Sequence, residues 1–122
     1  NKKFGFIVGA EMAFYAGLMA GARACIGQGT TLNPQTIRAV QERFNAGDLE
    51  GACEAQKDTN ELVYACSNPV DFFKMYATEK GYPVGLYARS LGSPYVTERK
   101  VLSQEAYNTF KVYFESVLAK YA

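Results

Sequence analysis

Hydrophobic residues near the start of the chain fall into two short, nearly continuous runs separated by an amphipathic segment. The runs cover residues 4–8 and 22–26, and the segment covers 11–20. Strands buried on both faces of a parallel sheet show such continuous apolar runs, and parallel strands need a crossover between them. The pattern therefore predicts a strand, a helix and a second strand within the first 26 residues.

The rest of the chain shows helical periodicity with clear start signals. Side chains that favour the N-cap position precede four predicted helices: Asn33, Asp48, Asn68 and Ser103. The segment 27–33, rich in glycine, is predicted to be a loop. Residues 82–102 lack periodicity but are rich in apolar side chains, so they are predicted to form an ordered loop. Arg89 in that loop is a candidate for closing over a site, or a solvated side chain.

Two parallel strands do not make a self-sufficient sheet, because an isolated pair is marginal and leaves two unpaired edges. No third strand is evident after residue 29. We therefore expect the chain to be the C-terminal part of a larger α/β protein, and its first residue, Asn1, agrees with that expectation.

The composition of the chain argues against nucleic-acid binding, metal binding and membrane association. The formal net charge is +1, and thirteen basic and twelve acidic residues are interspersed, so no basic stripe for nucleic acid is expected. The three cysteines have no CxxC spacing and are predicted to be reduced core residues of a cytoplasmic protein, with no metal site. The longest apolar stretch is far shorter than the roughly 20 residues of a membrane span, so no membrane partner is expected.

Three stretches resemble one enzyme family. The first is GLMAGARACIG at 17–27, followed by Asn33; the second is the Phe-x-Ala-Gly-Asp-Leu-x-x-Ala turn at 44–52; the third is Asn68-Pro69. Together they resemble the C-terminal portion of the N-acetylneuraminate lyase and dihydrodipicolinate synthase family, the pyruvate-dependent class I aldolases.

The resemblance implies an α/β fold: the last two strands of a TIM (β/α)8 barrel in residues 1–47, and a C-terminal helical extension in 48–122. Members of the family form a Schiff base between pyruvate and a lysine on an earlier strand, and they need no cofactor. The lysines of this chain fall on predicted termini, loops or helices, where an imine-forming lysine would not be desolvated. No catalytic residue is therefore assigned here, and this chain alone is predicted to be inactive.

The resemblance also implies substrate contacts, because ligands of such barrels bind at the C-terminal ends of the strands. The predicted substrate-binding residues are Gly9, Glu11, Met12, Ile26 and Gln28. Met12 stands where the lyase branch has a second acid, and a thioether cannot replace a carboxylate as a hydrogen-bond acceptor for hydroxyls. This departure favours a sugar acid other than sialic acid. Glu11 as a favourable first-turn acid, and Gln28 as a turn residue, are the structural alternatives.

The expected function is that of a carbon–carbon lyase acting on a 2-keto-3-deoxy sugar acid, with pyruvate and an aldehyde or sugar acid as small-molecule partners. The remainder of the barrel and a homo-oligomer, typically a tetramer in this family, are the expected protein partners. A condensing synthase or a dehydratase of the same family is an alternative. A non-catalytic assembly module that uses helices 48–66 and 103–121 is another.

Overall fold

Two short strands pair in parallel near the start of the chain. The computed structural model describes residues 4–86 and 101–122. Strand β1 is Ile7–Val8 and strand β2 is Ala24–Cys25, with Ile7 opposite Ala24. A 3-10 turn, Glu11–Ala13, and helix α1, Phe14–Met19, connect them. The predicted strand–helix–strand order and its parallel pairing are therefore observed.

Within the described ranges, five further helices follow β2. They are α2 (Gly29–Leu32), α3 (Pro34–Asn45), α4 (Leu49–Ala65), α5 (Pro69–Glu79) and α6 (Gln104–Lys120). All four predicted N-cap side chains accept a hydrogen bond from the backbone N–H three residues on. Helix α2 lies inside the segment 27–33, so the prediction of a loop there was wrong for its second half.

The predicted fold class is wrong. The described residues form a mostly helical small domain with one two-stranded sheet, not the last two strands of a TIM barrel. Each apolar run pairs over only two residues, because a strand extends only as far as a neighbouring backbone offers hydrogen bonds. Phe4 at the start of the first run is 92% exposed, and Ile26 at the end of the second run is 67% exposed. Apolar continuity alone therefore overestimated the length of the two strands.

Two clusters of buried side chains hold the helices together. The first joins α1, α3 and α4 through Phe14, Leu18, Val40 and Ala55. The second joins α4, α5 and α6, and its buried members are Leu62, Phe72, Tyr107, Phe114 and Val117. The apolar stripe predicted on the last helix is thus covered by helices of this chain rather than by the outer helices of a barrel.

Aromatic packing dominates the second cluster. The Phe72 ring lies 4.6 Å from the Phe110 centroid and 5.1 Å from that of Phe114, in both cases edge to face. Lys120 at the end of α6 forms ion pairs with Glu54 and Asp58 of α4, at 2.9 and 2.7 Å. Helix α6 is therefore fixed to α5 by rings and to α4 by charges.

In the part of the chain that the structure describes, no helix has the length and apolar character needed to cross a bilayer. The cysteines Cys25, Cys53 and Cys66 are free and half-buried. Arg89 and most of the predicted loop 82–102 lie outside the described residues. The predicted boundary between residues 47 and 48 falls in the short turn between α3 and α4, which pack against each other.

Candidate functional site

A cavity of about 580 Å³ opens at the C-terminal ends of the two strands. The residues after β1 and the residues after β2 form one wall, because parallel strands end at the same edge. Helices α3, α4 and α6 supply the opposite walls with mainly apolar side chains, namely Ile37, Leu62, Val63, Phe110 and Phe114. The volume is in the range of ordinary small-molecule sites.

Four of the five predicted site residues line this cavity: Gly9, Glu11, Ile26 and Gln28. Met12 does not line it and is instead exposed on the 3-10 turn. The structure thus brings the residues that follow β1 and β2 together, and it places Met12 on another face of the same turn.

Glu11 supplies the carboxylate of the described cavity wall, and hydrogen bonds hold both its side chain and its main chain in place. The residue is 7% exposed. Its Oε1 accepts a hydrogen bond from the backbone N–H of Gly29 at 2.6 Å. Its main-chain carbonyl accepts another from Nε2 of Gln56 at 2.9 Å. A buried carboxylate needs such donors, because burial without them disfavours its charge.

Glycine at position 27 is required by the packing of this carboxylate. A Cβ added to Gly27 would lie 1.7 Å from Oε2 of Glu11, a distance at which atoms overlap. The glycine-rich sequence after β2 therefore allows the backbone to approach the Glu11 side chain, in agreement with the usual role of such glycines. Glu11 thus lies in the first turn of the helical segment, as predicted, and its carboxylate contacts Gly27 and Gly29.

Asn33 and Cys66 are cavity residues that the sequence did not indicate as site residues. Asn33 was predicted only as the N-cap of α3, a role that by itself explains an asparagine before a proline. Burial raises the pKa of the Cys66 thiol, which favours the neutral thiol on the cavity wall. The pKa of the Cys25 thiol is also raised, first by burial and then by the Glu11 carboxylate.

Among the described residues, no group of three or more histidine, cysteine, aspartate or glutamate side chains is arranged to hold a metal ion. The described lysines, none of which lines the cavity, are Lys57, Lys74, Lys80, Lys111 and Lys120. The described wall offers one carboxylate, two side-chain amides, hydroxyls, a thiol and apolar surface.

No family model matches the chain, and neither a curated protein nor a solved structure shows significant similarity to it. The resemblance to pyruvate-dependent aldolases consequently depends on the motifs quoted above.

Proposed function

We propose that this chain binds a 2-keto-3-deoxy sugar acid in the strand-end cavity and serves substrate recognition in a pyruvate-dependent carbon–carbon lyase. One observation carries the proposal. Residues chosen from the sequence motifs, two after each strand, line a single cavity of suitable size: Gly9 and Glu11, and Ile26 and Gln28. A condensing synthase or dehydratase would use the same contacts, because these reactions share the keto acid.

The charges of the wall orient the ligand. Glu11 repels a carboxylate, so the acid end of the ligand lies away from it, at the mouth, where the exposed amide of Gln28 can donate hydrogen bonds. The hydroxylated tail then points toward Glu11, whose carboxylate accepts hydrogen bonds from hydroxyl groups. Since no described lysine reaches this cavity, we assign recognition and not imine formation to these residues.

The packing gives less support to the alternative that the chain is a non-catalytic assembly module. The apolar faces of α4 and α6 are buried against α5 and against each other through Leu62, Phe72 and Phe114. Those faces are therefore occupied within the chain and are not free to form contacts between subunits.

A titration of the 15N-labelled protein followed by NMR tests the proposal. We expect 2-keto-3-deoxygluconate to shift the backbone amide signals of residues around Glu11 and Gln28. Gln28→Ala should weaken binding about three- to tenfold by removing one hydrogen-bonding side chain. Met12→Ala is the matched control, because Met12 lies outside the cavity. Equal effects of the two substitutions, or no shifts at saturating ligand, would refute the proposed site.

Incubation with pyruvate and borohydride, followed by mass spectrometry, separates recognition from catalysis. We expect no lysine adduct and no turnover from this chain alone. A trapped lysine would instead assign the imine step to this chain and contradict the division of roles proposed above.

A further inference from the structure

Asn33 carries an unpaired hydrogen-bond donor on the cavity wall. The residue is 5% exposed and lines the cavity. Its Oδ1 accepts hydrogen bonds from the backbone N–H of Thr36 at 3.3 Å and from the Thr36 hydroxyl at 2.6 Å. Within the described part of the chain, the Nδ2 amino group of Asn33 donates no hydrogen bond. Among the described residues this nitrogen is not one of the buried atoms that lack a partner, so it remains open to solvent and to a ligand in the cavity.

The orientation of the Asn33 amide is fixed by its role as N-cap. The N–H of Thr36 can only donate, so it must face the oxygen of the Asn33 amide and not the nitrogen. If the amide oxygen and nitrogen of Asn33 changed places, the Nδ2 hydrogens would face the N–H of Thr36, and two donors would lie opposite each other. The cap therefore holds Nδ2 in one orientation, as a donor with both hydrogens available.

Glu11 supplies the complementary acceptor in the same cavity. Its Oε1 takes the N–H of Gly29, whereas its Oε2 has no hydrogen-bond partner among residues 4–86 and 101–122. The wall thus offers a donor from Asn33 and an acceptor from Glu11, surrounded by apolar side chains. Hydroxyl groups suit both positions, because a hydroxyl can accept from Asn33 or donate to Glu11, whereas a carboxylate or phosphate can only accept and is repelled by Glu11.

We infer that Asn33 is a specificity-determining residue that, together with Glu11, selects the uncharged, hydroxyl-bearing end of the ligand. This inference deepens the proposed function and rests on it for the acid at the other end of the molecule. Pyruvate lacks a hydroxylated tail and makes neither contact. The two groups thus discriminate a long sugar acid from the short keto acid.

Asn33→Asp isolates the donor from the cap. Aspartate caps a helix as well as asparagine does, so Thr36 keeps its acceptor and α3 keeps its start. The Nδ2 donor, however, becomes a carboxylate oxygen. We expect the affinity for 2-keto-3-deoxygluconate to fall at least tenfold, and by a larger factor than the affinity for pyruvate, which meets only the added negative charge. Asn108→Asp, the same change at an exposed position of α6 outside the cavity, should leave both affinities unchanged.

Glu11→Gln is the second variant, in case Asn33→Asp fails to fold. Its amide oxygen can still accept from Gly29, but its other atom becomes a donor, so the affinity for the sugar acid should again fall about tenfold. The side-chain NH2 signal of Asn33 in the wild-type spectrum gives a direct readout, because a bound hydroxyl should shift it. The melting temperatures of all variants report whether the fold is retained.

The outcomes distinguish the two proposals. Weaker binding of the sugar acid by Asn33→Asp, with a shifted Asn33 signal in the wild type, supports the inference. Equal binding by the wild type and Asn33→Asp overturns it and leaves the proposed function standing. Binding of the neutral polyol erythritol but of no keto acid, with loss in Asn33→Asp, supports the inference and refutes the proposed function. If none of the three probes binds to the wild type, both are refuted.

Discussion

The Nε2 of Gln56 donates a hydrogen bond to the main-chain carbonyl of Glu11 at 2.9 Å, across 45 residues of sequence. The Oε1 of the same side chain accepts the backbone N–H of Tyr15 at 2.7 Å. One glutamine of α4 thus bonds one backbone group of the 3-10 turn that places Glu11 at the cavity and one of the first turn of α1. The position of the site consequently depends on the packing of α4, not on the strands alone.

Gln56→Leu should lower the free energy of unfolding by about 1 to 3 kcal/mol. It keeps a side chain of similar size but removes the acceptor of the Tyr15 N–H, and an unsatisfied buried group costs about that much. The Glu11 carbonyl loses one of two donors and keeps the backbone N–H of Phe14. Urea denaturation followed by circular dichroism measures the change. Lys57→Leu, at the exposed neighbouring position, should stay within about 0.5 kcal/mol. Similar losses in both variants would refute the bridging role of Gln56.

Gly17→Ala should destabilise the contact between α1 and β1. A Cβ at Gly17 would lie 2.1 Å from Cγ2 of Val8, so the chain must shift, and overpacking of this kind costs about 1 to 3 kcal/mol. The higher helix propensity of alanine, about 1 kcal/mol, opposes part of this loss. Gly5→Ala, at a position with open space around it, is the matched control.

A double-mutant cycle identifies the atom responsible. Val8→Ala removes Cγ2 and with it the clash, so the cost of Gly17→Ala should be smaller in the Val8→Ala background than in the wild type. Strict additivity of the two substitutions would contradict the close approach of Val8 and Gly17.

Ionisation of Tyr121 should lower the free energy of unfolding of the protein at high pH. Burial, and then the hydrogen bond from its hydroxyl to Asp58, raises the pKa of Tyr121 to about 12. The ordinary tyrosine pKa is about 10, so the native state favours the neutral phenol. This contribution is fully present below pH 10 and is lost as the pH rises to about 12.

Denaturation in urea at several pH values between 9 and 12 measures this effect. The wild type should lose more stability over the interval than Tyr121→Phe, which keeps the ring and removes the titrating group. Absorbance of tyrosinate near 295 nm should show one phenol fewer titrating late in that variant. Tyr64→Phe, which removes an exposed phenol of α4, is the control. Identical pH dependence in wild type and Tyr121→Phe would disprove the role of the Asp58 contact.

Cys66 offers a chemical probe of the cavity. Because burial raises the pKa of its thiol, a smaller fraction is thiolate at pH 8, and its alkylation by iodoacetamide should be slower than that of a small-molecule thiol. A variant with Cys25→Ser and Cys53→Ser leaves Cys66 as its one cysteine. A ligand in the cavity should slow the reaction further, since Cys66 lines the wall.

Rate constants from mass spectrometry, with and without 2-keto-3-deoxygluconate, check this expectation. Sulfate at the same ionic strength is the control for a general salt effect. Alkylation as fast as that of a free thiol, or no protection by a ligand that binds by NMR, would place Cys66 outside the site.

The starts of four helices and the ends of two could be predicted from the sequence to within one or two residues. The starts of α3, α4, α5 and α6 follow from their capping side chains. The ends of α3 and α5 lie near Gly47 and Gly81, which adopt positive φ of 82° and 88°. These signals depend on groups three or four residues apart. Similarly, four of the five predicted site residues line one cavity, because the C-terminal ends of parallel strands lie at the same edge of the sheet.

The sequence by itself determined the starts of α3 to α6 and the parallel crossover, because capping, turn geometry and hydrophobic period act over a few residues. Only the tertiary structure decided how far the strands pair, what covers the aromatic stripe of α6, and that Asn33 and Glu11 line the same cavity. Those outcomes depend on contacts such as Glu11 with Gly29 and Gln56, 18 and 45 residues apart. No local pattern encodes such pairings, since each is fixed by the simultaneous packing of several helices.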